Sequence, residues 1–327
     1  MRNKFLVALV AAAGALVGCA APRGQFAVVI APAADVRSKP GYLPTDYHHD
    51  DEQETQLLLG ETVRIDRTQG DWALIEAVEQ DEHTHHDRWE GYPGWALNST
   101  LKLLPKERRD TATADAVITA KWAPAWLDAA LTEPAEPLPM GATVTVVDDA
   151  GEQWSLRLPA GDVVWVARAS VGRVRDLIRL TAEERRRRVL VAAQEMVGDP
   201  YLWGGRSPHD NLRSLPITGV DCSGLINLVY RTAGVRIPRD AHEQYLRARP
   251  VASPQPGDLV FLSSPDRPDR MTHVMLYAGN EELLEAPGTD ERVRRISTHE
   301  RFGRPLRGLR PGELVEGRRV FFGAYLP

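Results

Sequence analysis

The sequence has little cysteine, no strongly basic domain and, after its first twenty residues, no long apolar run. Its 327 residues include only two cysteines, Cys19 and Cys222, which excludes a fold held by several disulfides. The net charge of -5 gives no electrostatic footprint for nucleic acid, and the densest basic run, Arg185 to Arg188, is expected to be a solvated helix face. No later segment reaches the roughly 20 apolar residues of a transmembrane helix. The length suits two or three domains.

The first residues have the pattern of a secretory signal. Arg2 and Lys4 precede an apolar run that ends in small residues, as export signals do. The ending LVGC, which places Cys19 last, resembles the lipobox of bacterial lipoproteins, so residues 1–19 are expected to be a lipoprotein signal peptide and Cys19 the lipidation site. Ala20 and Ala21 favour the outer membrane if the organism is Gram-negative. The alternatives are an ordinary signal peptide with a chance cysteine, or an N-terminal anchor.

Two consecutive segments have the texture of small antiparallel β domains. In residues 25–105, alternating stretches such as ETVRIDRTQ are separated by turns, and GDW and GYPGW punctuate the pattern. Residues 110–174 repeat the order of strand, turn, tryptophan and strand in AVITAKWAP, GATVTVVDDAGEQWSLRL and DVVWVARASV. The pair resembles tandem bacterial SH3-like domains.

From residue 181 onward the texture becomes mixed. EERRRRVLVAAQEMVG has helical periodicity, and a second helix is predicted from Cys222 to Ala233, with Gly234 as its C-cap. Three strands are predicted at 257–264, 273–280 and 281–288. The predicted fold class is therefore α+β: two small all-β SH3-like barrels followed by a papain-like domain at 181–327, in which a helix carries the nucleophile and a sheet carries the base.

Cys222 and His273 are the candidate nucleophile and base. Cys222 opens its predicted helix, where the unpaired backbone N–H groups and the positive end of the helix dipole favour a thiolate. His273 begins a strand whose end can face that helix, and an imidazole can take the thiol proton and return it to a leaving amine. The alternative for Cys222 is a buried structural cysteine.

Five strings in the same order carry a family resemblance. PYLWGG, DCSGL, IPRDAHEQ, PGDLVF and THVMLYAG resemble the NlpC-type cell-wall cysteine peptidases over residues 185–327. The resemblance implies Cys222 as nucleophile, His273 as base and, twelve positions later, Glu285 as the residue that orients the base. Family members usually carry histidine, asparagine or glutamine at that third position. A carboxylate is expected to accept from the imidazole Nδ1–H; the alternative is a strand residue facing water.

The two-barrel layout resembles the γ-D-glutamyl-L-diamino acid endopeptidases, which act on wall peptides with a free N-terminal L-alanine. This resemblance implies that Asp240 binds the free amino group and that Tyr92 and an acidic residue of the first barrel close the far side of the cleft. Glu52 is predicted for that acidic residue, with Asp50, Asp51 and Glu54 as competitors. Carboxylates suit an ammonium group, and a wall across the cleft admits only a chain end.

Three further residues are predicted to line the same pocket: Ser223, Asp221 and Trp203. For Trp203, as for Tyr92, the alternative is a core aromatic that only packs. Asp240 has a structural alternative as the N-cap of the helix suggested by AHEQYLRA. The predicted partners are peptidoglycan peptides and, through Cys19, a membrane.

Three rival functions are open. The histidines at 83, 85 and 86 suggest a metal site, but their charged segment lacks cysteine or a distant ligand, so neither metal nor cofactor is expected. A non-catalytic wall-binding lipoprotein is disfavoured because both Cys222 and His273 are present. Amidase or acyl-transfer chemistry would use the same pair of residues and stays an alternative to peptide hydrolysis.

Overall fold

The computed structural model describes residues 24–105, 114–211 and 216–327. The predicted signal peptide at 1–19 and the predicted lipidation site, Cys19, lie outside the described residues. Within the described ranges, no helix combines the length and the apolar character needed to span a bilayer.

The first sheet has seven antiparallel strands, in the order β3-β2-β6-β5-β4-β1-β7. The strands are β1 Gln25–Val29, β2 Ala33–Arg37, β3 Gln53–Leu58, β4 Thr62–Gln69, β5 Trp72–Glu82, β6 Glu90–Leu97 and β7 Leu101–Leu103. All but β3 fall in segments that the sequence predicts as strands. The string QETQLL of β3 does not alternate, yet almost all of it is buried. Thr55 and Gln56 have partners in the C-terminal part of the chain, and Gln53 bonds to side chains of β2.

The second sheet has the same strand order as the first, shifted by seven strands: β10-β9-β13-β12-β11-β8-β14. Its strands are β8 Ala116–Ile118, β9 Trp122–Trp126, β10 Pro134–Pro139, β11 Thr143–Asp148, β12 Gln153–Arg157, β13 Val163–Ala167 and β14 Val171–Arg173. β10 reads PAEPLP and is not predicted, because proline lacks the N–H that a ladder needs. The shared order supports the predicted repeat, while the SH3-like identity of each unit stays a prediction.

The C-terminal part combines five helices with a third seven-stranded sheet of order β15-β21-β16-β17-β18-β19, in which β20 also pairs with β21. The helices are α1 Val174–Leu177, α2 Ala182–Glu195, α3 Cys222–Thr232, α4 Ala241–Arg247 and α5 Thr298–Phe302. The strands are β15 Arg249–Pro250, β16 Leu259–Ser263, β17 Met271–Gly279, β18 Glu282–Glu285, β19 Arg294–Ser297, β20 Glu313–Val315 and β21 Arg318–Ala324. This mixed α and β architecture agrees with the predicted class, and the papain-like designation stays a prediction.

Helix α3 is the buried centre of this part. Its apolar side chains pack against α2 and one face of the third sheet, while α5 covers the other face. The helix ends before Gly234, whose φ of +70° is the left-handed conformation expected of a C-cap glycine. The N-terminus of α3 therefore meets the sheet at a fixed position.

A buried polar junction holds the first sheet beside α3. Arg206 forms an ion pair with Glu61 at 2.5 Å and donates to the Asn227 side chain of α3 at 2.7 Å. Arg231 of α3 pairs with Glu79 of β5 at 2.9 Å. Buried charges of this kind are tolerated only when each is paired. The junction thus fixes the β3–β4 turn and β5 against the middle and the end of α3.

Candidate active site

Two glycines bring the loop before α3 against the first turn of that helix. A Cβ on Gly224 would lie 2.1 Å from the carbonyl oxygen of Gly205, and a Cβ on Gly205 would lie 2.5 Å from that of Gly219. Real side chains cannot approach that closely, so both positions need glycine. The glycines of YLWGG and DCSGL therefore serve one close contact beside Cys222.

The Cys222 thiol is buried, with 8% exposure, and its sulfur accepts a hydrogen bond from the backbone N–H of Val274 on β17. Burial, followed by the charge of Asp221, raises the pKa of the thiol to about 12, although the N–H donors and Arg239 lower it. The backbone N–H groups at the helix start act in the expected direction, but burial and Asp221 outweigh them. The thiol needs a base to remove its proton.

His273 is the residue next to Val274 on β17, so the structure brings the predicted nucleophile and base together. Its Nε2 lies 2.8 Å from Oε2 of Glu285 on β18. An ionised carboxylate only accepts, so Nε2 carries the hydrogen and the lone pair of Nδ1 is left to accept a proton. The prediction that Nδ1–H faces the carboxylate is wrong, because the imidazole presents its other nitrogen to β18.

Glu285 is fully buried, so the alternative of a strand residue facing water is wrong. Its Oε1 accepts from Arg294 at 2.8 and 3.0 Å, and Arg301 lies 3.5 Å from Oε2. Burial favours the neutral acid, but His273, Arg294 and Arg301 outweigh it and lower the pKa of Glu285 to about 2. The third residue is therefore a fixed anion behind the imidazole.

Asp221 and Ser223 are held inside the protein by Arg239. Asp221 is the N-cap of α3 and accepts from the Gly224 N–H at 2.6 Å. Arg239 is buried, pairs with Asp221 at 2.7 Å and donates to Ser223 Oγ at 3.0 Å. Their polar atoms cap and clamp the helix start, and the contact of these two side chains with substrate stays a prediction.

Tyr92 of β6 crosses from the first sheet to Asp240 at the start of α4. The buried hydroxyl donates to Asp240 Oδ2 at 3.0 Å, and Glu54 Oε2 lies 3.5 Å away. Asp240 occupies the N-cap position without a side-chain cap bond, so its carboxylate serves Tyr92 instead. Burial raises the pKa of Asp240 to about 7, while Arg239 lowers it.

The first-sheet carboxylate at Tyr92 is Glu54, which corrects the choice of Glu52. Glu52 pairs with Lys39 at 2.7 Å and with Arg37 at 3.1 Å. The error follows from the unpredicted strand β3, which begins at Gln53 and leaves Glu52 outside it. Glu54 lies on that strand.

His85 lies behind Glu54 and was not predicted as part of this group. Its imidazole contacts Glu54 at 3.4 Å and Glu82 at 3.0 Å, and its ring centre is 5.0 Å from that of Tyr92. Hydrogen bonds to Glu54 and then Glu82 raise the pKa of His85 to about 10. The resulting imidazolium holds Glu54 toward Tyr92.

The three histidines proposed as alternative metal ligands do not converge. His85 pairs with the two glutamates, His86 contacts Glu90, and His83 lies 3.9 Å from Asp87. In the described part of the chain, one different group, Glu82, His86 and Glu90, offers ligand atoms within 4.8 Å of one another.

The two aromatic residues of PYLWGG have different surroundings. Trp203 is 40% exposed and its ring centre is 4.4 Å from that of His49, so the alternative of a core aromatic is wrong. Tyr201 is buried and close enough to Cys222 that burial and the thiolate charge both raise its pKa. Sequence reasoning missed Tyr201, although the motif that contains it was the available signal.

Residues 198–305 match the NlpC/P60 family profile. The chain therefore contains a segment similar to the NlpC/P60 family. Its fold is similar to the crystal structure of an NlpC/P60 family protein from Bacillus cereus, with a TM-score of 0.73 and 22% identity over 93% of this chain and 100% of that one.

Three relatives of this chain are named as peptidases. The γ-D-glutamyl-L-lysine dipeptidyl-peptidase of Bacillus cereus is 24% identical over 73% of this chain and 69% of its own length. Its Bacillus subtilis counterpart is 26% identical over 73% and 74%, respectively. Murein DD-endopeptidase MepH of Escherichia coli is 33% identical over 42% of this chain, which spans about half (49%) of that relative. The chain is a cysteine peptidase.

Proposed function

We propose that this peptidase hydrolyses the γ-D-glutamyl–diamino acid bond of peptidoglycan peptides that begin with a free L-alanine. The observation that carries the proposal is the acidic end of the cleft, where Tyr92, Asp240 and Glu54 meet within 3.5 Å. Relatives named for the γ-D-glutamyl-L-lysine bond match 73% of the chain, which is more than residues 181–327 alone.

The acidic end suits an ammonium group. Two carboxylates and a phenolic oxygen can accept all three of its N–H donors. An N-acetyl group or a longer chain would meet β6 and leave these partly buried carboxylates without an ammonium partner, which is a costly arrangement. The cleft would thus select peptides whose free amine lies at a fixed distance from the scissile carbonyl.

The reaction would follow from the three residues at Cys222. Nδ1 of His273 takes the thiol proton as sulfur attacks the γ-carbonyl carbon of D-glutamate. The Ser223 backbone N–H and the Tyr201 hydroxyl, both close to the thiol, would stabilise the oxyanion. His273 then gives its proton to the departing amine, and water hydrolyses the thioester. The products are L-Ala-D-Glu and a diamino acid.

Acyl transfer or amidase action stays the second candidate, because it would use the same cysteine and histidine. A transferase would hand the acyl group to an added amine instead of water. Lipid anchoring through Cys19 to the outer membrane is likewise a proposal from the sequence alone.

The expected specificity is cleavage of L-Ala-γ-D-Glu-diaminopimelate at least about 100-fold faster than its N-acetyl form, since an unpaired buried charge costs several kcal/mol. Mass spectrometry of released diaminopimelate, the product common to the two peptides, measures both rates. Asp240→Asn and Glu54→Gln should shrink the ratio to about 10 or below. Glu52→Gln is the matched control and should leave the ratio unchanged. Equal cleavage of both peptides by the wild type would refute amine recognition.

A further inference from the structure

The surroundings of Cys222 carry negative groups on one side and positive groups on the other. Carboxylates Glu54 and Asp240 lie toward the first sheet. On the side of His273 and Glu285 lie the guanidinium groups of Arg301 and Arg318. A substrate with an ammonium at one end and a carboxylate at the other would be oriented by this arrangement.

Arg318, at the start of β21, has only neutral acceptors among its hydrogen-bond partners in the described ranges. Its Nε donates to the Ser263 carbonyl and its Nη2 to Thr272 Oγ1, each at 2.6 Å. No carboxylate within the described residues lies within ion-pair distance of it. These bonds use two of the five N–H donors of the guanidinium. The partly buried cation therefore retains three N–H donors and an uncompensated positive charge.

Arg301 differs from Arg318 in this respect. It lies 3.5 Å from Glu285 and 3.7 Å from Glu316, so two carboxylates share its charge. Arg301 also acts on the base through Glu285. Of the two cations, Arg318 is therefore the one free to bind a ligand anion.

Arg318 lies within electrostatic range of the nucleophile. Burial and the charge of Arg301 lower the pKa of Arg318, whereas the charge of Cys222 raises it. Its partner Thr272 directly precedes His273 on β17. The guanidinium is thus held near the base that must protonate the leaving amine.

The leaving group lies on this side of the nucleophile for a chemical reason. The proton donor for the departing amine is the imidazole, so the residue after the scissile bond must contact His273. In the proposed substrate that residue is a diamino acid that ends in a carboxylate. Guanidinium groups bind carboxylates through charge-assisted and often bidentate hydrogen bonds.

We propose that Arg318 binds the carboxylate of the diamino acid released by the reaction. This subsite rests on the proposed function and extends it to the far side of the scissile bond. With the acidic end, it would fix a short peptide by both of its charged termini.

The test compares L-Ala-γ-D-Glu-L-Lys with its C-terminal amide, in wild type, Arg318→Gln and Arg319→Gln. The wild type should favour the acid by about 10- to 100-fold in kcat/KM, mainly through KM, as expected for one charged hydrogen-bonded pair. Arg318→Gln should lose this preference and cleave the amide at the wild-type rate. Arg319 is the matched control, since it donates to the carbonyl of Gly312, which directly precedes β20.

Each other outcome has a distinct meaning. If Arg318→Gln slows both peptides equally, Arg318 acts on the oxyanion or the fold, and the subsite is refuted. If the wild type cleaves acid and amide alike, no carboxylate is recognised. If it cleaves neither, the proposed function itself fails. Arg318→Lys, which keeps the charge, should restore part of the preference, and thermal unfolding shows whether each variant is folded.

Discussion

Cys222→Ala should lower the rate of peptide cleavage by about 10⁴-fold or more, because removal of a covalent nucleophile leaves only binding and oxyanion stabilisation. The residual rate is measured by mass spectrometry of L-Ala-D-Glu. Peptide affinity should change by less than about threefold, since the groups proposed to bind the substrate ends, Tyr92, Asp240 and Arg318, are untouched.

The comparison variant is Cys222→Ser, which retains the size of the side chain but has a hydroxyl with a far higher pKa. It should be nearly as inactive as alanine and should bind the peptide equally well in calorimetry. Substantial cleavage by either variant would mean that another group performs the attack. Inactivity with lost binding would point to a structural defect.

Glu285→Ala should lower kcat by about 10²- to 10⁴-fold with little change in KM, as expected when a triad loses its carboxylate. The imidazole would keep its place on β17 but lose the acceptor at 2.8 Å that fixes its tautomer and stabilises its charged form. Steady-state kinetics on the free tripeptide measures kcat and KM separately. Glu282→Gln is the control, because Glu282 lies on the same strand, is more exposed and pairs with Arg295.

The same variant has a signature in the pH dependence of unfolding. The folded-state pKa of Glu285 is near 2, below the ordinary 4.5, so its stabilising contribution is present above about pH 4.5 and is lost as the pH falls toward 2. Glu285→Ala should therefore have a flatter stability curve between those values than the wild type. A wild-type curve parallel to that of the variant, or full activity in the variant, would contradict the assigned role.

The family resemblance predicted the centre of the site. The strings DCSGL and THVMLYAG, with the twelve-residue step to Glu285, identify residues that the structure brings together at the start of α3. Their geometry is set by one helix terminus and two neighbouring strands, which are close in sequence. What they could not reveal is which imidazole nitrogen faces the carboxylate, because that depends on a side-chain rotamer.

Residues whose environment comes from distant chain segments were not predictable. β3 is polar in sequence but buried, because Thr55 accepts from Arg239, 184 positions away. Because that strand is not predicted, its register could not be used to choose between Glu52 and Glu54. The sequence does not reveal that Arg239 donates hydrogen bonds to the side chains of Asp221 and Ser223. Arg318 gave no signal, since it follows the last family string on a strand that was not predicted.

The most direct measurement is the mass of the acyl-enzyme after rapid acid quenching of purified protein mixed with L-Ala-γ-D-Glu-diaminopimelate. We expect an adduct with the mass of the L-Ala-D-Glu acyl group, located on the peptide that contains Cys222, and its decay to free dipeptide in water. An adduct elsewhere, an adduct that includes the diamino acid, or turnover without any adduct would contradict the account.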